Sequence, residues 1–254
     1  MILLPAHNAS AWTGPTGNNT FLLTGAVPTL IDAGVGAPAH VEGIARALGD
    51  APLEAVLITH GHPDHASGVA ALVARWPRLN VLQYPAAAEQ PIRAGDTELL
   101  PLHTPGHSPD HLCFFDLRSR DVFCGDLVRL GGTIVIPASR GGNVREYLAS
   151  LRRVRSLAPR RLLPGHGAAI ADPVLAVDDY LRHREERERQ ILAALTAGAG
   201  TPEEITLRVY AQLPASLISA AADTVLAHLF HLEEQGKARR GSTRWYEGAP
   251  GLEF

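Results

Sequence analysis

Seven side chains able to bind a cation recur in order along this chain: His60, His62, Asp64 and His65 within one turn, then His107, Asp126 and His166. The first four stand in Thr59-His60-Gly61-His62-Pro63-Asp64-His65, directly after the uncharged run Ala55-Val56-Leu57-Ile58, which reads as a short buried strand. Residues two apart on an extended segment project to one side, so His60 and His62 can reach one ion while Asp64 and His65 turn toward another. Pro63 and Asp64 open a helical pattern that runs from Ala66 through Trp76, which makes the ligand cluster a strand-to-helix turn. The later three share one local pattern, each closing an apolar strand beside a glycine that lets the backbone turn: Gly106-His107, Gly125-Asp126 and Gly165-His166. Imidazole and carboxylate ligands suit Zn2+ and also admit Mn2+ or Fe. Two divalent ions are expected: His60, His62 and His107 on one, Asp64, His65 and His166 on the other, with Asp126 bridging, since a carboxylate can span two metals and an imidazole cannot. A single histidine is more often a hydrogen-bonded or solvated residue than a ligand. Seven candidates in this order point to a metal centre.

The pattern HxHxDH, followed by a strand-end His107, Gly125-Asp126 and a late Gly165-His166, resembles that of the metallo-β-lactamase fold family, and every ligand position of that family is filled. The likeness reaches upstream to Gly17-Asn18-Asn19-Thr20-Phe21-Leu22 and Leu30-Ile31-Asp32-Ala33-Gly34, which look like the family's opening strands and its Asp-x-Gly turn. It covers the whole chain. Within the superfamily it is to the branch with a C-terminal winged-helix domain, which contains an animal mitochondrial single-strand endoribonuclease and many bacterial hydrolases; glyoxalase II shares only the catalytic half. The resemblance implies a metal-dependent hydrolase of α+β class, an αβ/βα sandwich followed by a long helix and a small winged-helix domain.

The elements that must position these residues can be read from the pattern. Strands are expected near Thr20–Thr24, Thr29–Asp32, Val56–Thr59, Val81–Gln83, His111–Phe115, Asp121–Cys124, Thr133–Ile136 and Arg161–Leu163, with helices after Ala39, Asp64 and Val144. Hairpins mixed with crossover helices fit two sheets face to face with helices outside. A catalytic domain is expected over residues 1–172, a connecting helix over 173–197 and a winged helix over 198–254. A hairpin turning at Leu117-Arg118-Ser119-Arg120 sets Cys113 opposite Cys124, read as two buried thiols rather than a disulfide in a cytosolic chain.

The segment Val174 to Ala197 reads as a charged helix whose apolar stripe carries Arg184 and Glu188, four apart and expected to pair. It resembles the branch's His-Arg-x-x-Arg-Glu-x-Gln-Ile motif. His183, Arg187 and Gln190 form an adjoining stripe that is either a solvated face or a substrate contact, with His183 the candidate. After it come a Thr201 cap with Glu204 three later, a helix to Tyr210, a second near Ser216–Ser219, a third from about Ala221 to Gln235, and a hairpin from Lys237 to Tyr246. The third helix carries no lysine or arginine and is a poor recognition helix. The wing offers Arg239, Arg240 and Arg244 beside Trp245 and Tyr246, either a single-strand-binding patch or a solvated hairpin edge.

A formal net charge of −3 gives no pull toward a polyanion. No basic leader with an apolar core and no run of about 18 uncharged apolar residues is visible, so a cytoplasmic protein with no membrane partner is expected; oligomeric state is left open. A single lysine, Lys237, stands against 22 arginines. The expected chemistry is attack by a hydroxide held between two cations, which lower the pKa of bound water toward about 7, with Asp64 relaying a proton and Asp126 bridging as the catalytic carboxylates. The leading reading is hydrolysis of a small ester, thioester or lactone. The alternatives are cleavage of single-stranded RNA and a non-catalytic, metal-bound nucleic-acid-binding regulator, for which a missing ligand would be the sign.

Overall fold

The computed structural model describes residues 1–10, 12–87 and 89–248; the last six residues of the expected winged-helix segment lie outside them. The chain gathers into two compact units: Met1–Thr104, Asp110–Ile134 and Ser150–Val177 form the first, and Pro105–Pro109, Val135–Ala149 and the chain from Asp178 onward form the second.

In the first unit, β1 (Ile2–Pro5), β2 (Asn19–Leu23), β3 (Thr29–Ile31), β4 (Ala55–Leu57) and β5 (Asn80–Leu82) make one sheet in chain order. Its parallel pairs, β3 with β4 and β4 with β5, are joined by crossovers holding α1 (Pro38–Leu48), then α2 (Pro63–Ala66) and α3 (Val69–Arg75). A second sheet has the order β10-β9-β8-β7-β6, built from β6 (Ile92–Ala94), β7 (Thr97–His103), β8 (Leu112–Asp116), β9 (Asp121–Gly125) and β10 (Arg161–Pro164). There β9 and β10 run parallel, and their connection includes α4 (Val144–Ser156).

Alternation along the strands sorts their side chains into two cores. Phe21, Ile31 and Leu57 meet Leu112, Phe114 and Phe123 of the second sheet, so one core lies between the sheets, with Phe21 and Phe123 edge to face at 5.2 Å. Leu22, Leu30 and Val56 face the other way and pack with Val41 and Ile44 of α1 and Leu72 of α3. On the far side, Arg153 in the C-terminal half of α4 donates to the His103 carbonyl of β7 at 3.0 Å. The layers are those of the expected sandwich. Cys113 and Cys124 extend the Phe114–Phe123 register of the β8–β9 hairpin and are free, buried thiols, as expected.

Several elements differ from the sequence reading, which did not expect β1, β6 or β7 as strands. The expected strand Thr133–Ile136 is an irregular segment: His107 Nδ1 bonds the Val135 carbonyl and the Ile136 amide donates to Thr224 Oγ1, so side chains satisfy a backbone that a ladder would otherwise pair. The strand β7 is masked in the sequence by Pro101, which is tolerated because β6 pairs only with Thr97–Leu99 and leaves Pro101 on an edge. The helix from Ala66 to Trp76 is broken into α2 and α3 at Ser67-Gly68; the Gly68 amide donates to the Gly34 carbonyl at 2.9 Å, and a Cβ at Gly68 would lie 2.1 Å from the Ala33 carbonyl oxygen.

The second unit is built on α5 (Pro173–Thr196), which enters it at Asp178, followed by α6 (Pro202–Val209), α7 (Ile218–Glu234), β11 (Ala238–Arg240) and β12 (Trp245–Glu247). A 3-10 turn at Ala215–Leu217 replaces the short second helix. Ile191 and Leu195 of α5, Ile205 of α6, Val225, Leu229 and Leu232 of α7 and Trp245 of β12 form its core. The capping box forms: Glu204 N–H donates to Thr201 Oγ1 while the Glu204 carboxylate accepts from Thr201 N–H. The Gly200 amide and the Arg244 guanidinium hold that carboxyl down at about 2. The expected Arg184–Glu188 pair does not form: Arg184 lies over the Tyr147 ring at 5.1 Å, and Glu188 faces His228 and His231 at 3.6 and 3.7 Å. Helix spacing made the pair possible, and burial of Arg184 against an aromatic face overrode it. The segment Ala215–Glu234 has the length and composition to cross a membrane, though Asp223 interrupts it; here Val225, Leu229 and Leu232 use its apolar face as core.

His40 on α1 is buried at 1% exposure and its Nε2 donates to Thr20 Oγ1 at 2.8 Å, the hydroxyl itself donating to the Leu4 carbonyl. Burial, with His7 adding, pushes its pKa down to about 4. A folded pKa depressed below the unfolded one stabilises above pH 6.5, and that stability is lost as pH falls toward about 4. Between about pH 7 and about pH 5 the unfolding free energy should therefore drop about 2 kcal/mol more in the native sequence than in a His40→Asn variant, measured by urea titration. Equal slopes would mean that folding does not depress the His40 imidazole.

Candidate metal centre

The turn after β4 delivers four of the candidates, the end of β9 delivers Asp126, and the end of β10 delivers His166. His60, His65 and His166 are buried, and the Asp64 carboxylate is the most open of the acids at 30% side-chain exposure. His65 Nε2 and His166 Nε2 both face the two carboxylates: His166 lies 3.3 Å from Asp126 Oδ1 and 3.5 Å from Asp64 Oδ2, and His65 lies 3.6 Å from each. Ligands at about 2.0–2.1 Å around a tetrahedral ion would be about 3.4 Å apart, so these spacings are those of a coordination polyhedron. The ligand atoms of Asp64, His65 and His166 form one set within 4.8 Å, and those of His60, His65 and Asp126 form another. His60 Nε2 and His62 Nδ1 converge to 2.9 Å. His107 belongs to the second unit, where its Nδ1 donates to the Val135 carbonyl at 2.6 Å, so that Nε2 is the nitrogen that could bind a cation.

Small residues admit this crowding. A Cβ on Gly165 would stand 2.6 Å from His65 Cε1 and 3.1 Å from Asp126 Oδ1. A residue outside the seven sets the imidazoles: Asp32, 2% exposed, accepts from Thr59 N at 2.8 Å, from Thr59 Oγ1 at 2.9 Å and from His65 Nδ1 at 2.7 Å. Because Thr59 Oγ1 donates to Asp32, it accepts from His60 Nδ1 at 3.1 Å. Both rings thus carry their proton on Nδ1 and present Nε2 lone pairs to the centre. Asn18, fully buried, donates from Nδ2 to Asp64 Oδ2 at 3.1 Å and lies 3.2 Å from His65 Nε2. The acid closing the Leu30-Ile31-Asp32 strand was a visible signal for Asp32; nothing local marks Asn18 as a site residue.

The electrostatics fit a cation. Burial alone would neutralise these groups, but the Asp32 and Asp126 carboxylates hold His65 well above the usual imidazole range, and Asp126 and Asp64 hold His166 up at about 9. In turn His65 and His166 hold the buried Asp126 well below the usual carboxylate range against the push of burial, and His166, His65 and Asn18 do the same for Asp64. The cluster therefore gathers positive charge, as protons on its imidazoles or as divalent ions in their place. The donor set, its spacing and its charge all suit the metals the motif implies.

The remaining candidates lie in the second unit. His183 is half-buried, and burial with Arg184 and Arg187 lowers its pKa to about 4. Arg187 stacks over Tyr210 at 4.0 Å and donates to Gln190, so the stripe beside His183 is an internal network. In the wing, Arg239 stacks on Tyr246 at 4.7 Å, Arg240 sits 3.6 Å from Glu233, and Arg244 is held by Glu204 at 2.7 Å.

Comparison with known families agrees with this geometry. Residues 13–91 and 81–166 match the metallo-beta-lactamase superfamily, and residues 201–245 match the beta-lactamase associated winged helix domain. The chain belongs to the metallo-beta-lactamase superfamily. Members of this superfamily are generally metal-dependent hydrolases that bind divalent metals. A lactamase-like protein, nscB, of Trichophyton rubrum is 36% identical over 245 residues, covering 86% of this chain and 74% of that protein. The metallo-beta-lactamase family protein TTHA1429 of Thermus thermophilus shares the fold with a TM-score of 0.78 at 23% identity, over 97% of this chain and 98% of the other. TTHA1623, solved in a di-iron-bound form, is 32% identical with a TM-score of 0.53, over 64% of this chain and 94% of the other. The superfamily's metal chemistry makes the Asp32 arrangement testable. Asp32→Asn keeps the shape but removes an acceptor from His65 or Thr59, and should weaken zinc binding about 10- to 100-fold in a chelator competition. Because His166 must shed a proton held up to about 9, zinc affinity of the native protein should also rise with pH through neutrality. A pH-independent affinity would show that no such proton is displaced.

Proposed function

We propose that the chain is a dinuclear metal hydrolase of a small ester, thioester or lactone. The convergence of two imidazoles and two carboxylates at 3.3–3.6 Å carries this reading. His60, His62 and His107 would hold one ion, Asp64, His65 and His166 the other, with Asp126 shared. When bound, two divalent ions lower the pKa of a coordinated water toward about 7 and polarise a substrate oxygen. Zn2+ fits the donor set, as do Mn2+ and Fe, the last being the metal of the di-iron relative. Asp126 is buried and kept ionised by His65 and His166, which suits a bridging ligand. Asp64 is the open carboxylate, kept ionised by His166, His65 and Asn18, so it is the group placed to hold a water through which the leaving group would be protonated.

A non-ionic substrate is favoured because the net charge is −3 and α7 carries no lysine or arginine. A second reading, cleavage of single-stranded RNA, draws support from the stacking of Arg239 on Tyr246 and of Arg240 on Trp245. Arg244 adds little to it, being committed to Glu204.

The test is turnover by zinc-, manganese- or iron-reconstituted protein of aryl esters, thioesters and lactones beside a fluorogenic single-stranded RNA. Asp126→Ala should lower acyl turnover more than about 100-fold and reduce bound metal as measured by elemental analysis. RNA cleavage that falls steeply with salt, and falls further in an Arg239→Gln/Arg240→Gln variant, would replace the acyl reading with the RNA one.

A further inference from the structure

Two adjacent residues outside the candidate ligand set hold the two ligand loops of the first unit. Asp110 Oδ2 accepts from the amide of Gly61, the residue between His60 and His62, at 2.8 Å. His111 Nε2 accepts from the backbone amide of Asp126 at 3.1 Å. His111 is fully buried, and because Nε2 accepts, its ring proton is on Nδ1, which donates to Thr104 Oγ1 at 2.9 Å. The pair sits at the mouth of β8, fixed there by the Thr104 amide donating to the His111 carbonyl at 2.9 Å and the Leu112 amide donating to the Thr59 carbonyl at 2.6 Å. Gly125 is pinched between the two holds. It adopts φ +45°, and a Cβ there would stand 2.8 Å from His111 Nε2 and 2.9 Å from Thr59 Cβ.

We propose that Asp110 and His111 are positioning residues that set the spacing between the His60–His65 turn and Asp126, gripping one backbone amide on each. The inference rests on the reading of those loops as metal-bearing. Backbone amides cannot be moved by rotamer choice, so a grip on them fixes where a whole ligand side chain starts. Asp110 places His60 and His62 together, because Gly61 is their common neighbour. His111 places Asp126, and its single fixed tautomer makes it an acceptor at that amide. With both ends held from consecutive positions of one chain, the distance from the histidine turn to the carboxylate is set by a dipeptide.

The experiment measures zinc affinity of the full chain by chelator competition and the visible spectrum of its Co2+ form, with thermal midpoints of the metal-stripped proteins alongside. Asp110→Ala and His111→Leu should each weaken zinc binding about 10- to 100-fold and shift the Co2+ bands. Asp110→Asn and His111→Gln, which keep an acceptor within reach of the same amides, should recover most of the affinity. The double variant Asp110→Ala/His111→Leu should lose less than the product of the two single losses, since either release already frees the spacing. Unchanged affinity and spectrum in the single variants, or a lowered midpoint of the stripped protein without any change in zinc affinity, would overturn the proposal and leave the metal reading intact. A native protein that binds no zinc, manganese or iron would overturn both.

Discussion

Crowding of like groups around one point is the constraint from which the rest of the first unit follows. Asp64 and Asp126 converge on the same two imidazole nitrogens at 3.3–3.6 Å, with His60 close by. Carboxylates drawn together out of water repel one another unless positive charge is supplied among them. The raised pKa of His65 and His166 is one expression of that demand, and a pair of divalent ions is the other. Both place the same requirement on the fold: it must hold side chains in an arrangement that would fly apart in an unfolded chain.

The sandwich meets this by supporting the site from the backbone and from buried acceptors. Asp32 lies at the end of β3 with φ +60°, a left-handed conformation that aspartate tolerates, and it collects Thr59 and His65 at once. Glycines at 125 and 165 let β9 and β10 bring their ends against the histidines, where any side chain would collide. The inter-sheet core of Phe21, Phe114 and Phe123 keeps these strand ends in register. Packing and site are therefore one design: strands buried on both faces form the rigid base, and the turns beyond their ends carry the polar chemistry.

The second unit handles charge differently. Two of its wing charges meet acids of the same unit, Arg244 on the capping Glu204 and Arg240 near Glu233. Its interior holds His228 at 0% exposure, kept neutral by burial with Arg184 and Arg187 close by, and faced by Glu188. A winged-helix order of elements thus comes with a polar interior and with two wing arginines, Arg240 and Arg244, beside acidic partners.

Much of this protein is legible in its sequence where the signal is local. HxHxDH after an apolar run, glycines before His107, Asp126 and His166, and the Thr201–Glu204 box depend on neighbours in the chain, and spacing alone announces a metal centre, a sandwich and a capped helix. Cys113 opposite Cys124 is also readable, because a hairpin turn fixes register. Where the determinant is distant, the reading fails. Pro101 hides β7 because only the sheet shows that its missing amide lies beyond the reach of β6; Thr133–Ile136 has the composition of a strand, but its backbone finds side-chain partners; Arg184 and Glu188 are spaced to pair, but burial sends each elsewhere. The sequence by itself determined which atoms could bind cations. The tertiary structure decided which of their nitrogens face inward and where their loops are held, through Asp32, Asn18, Asp110 and His111, because hydrogen bonds across 15 to 49 positions of chain leave no periodicity to read.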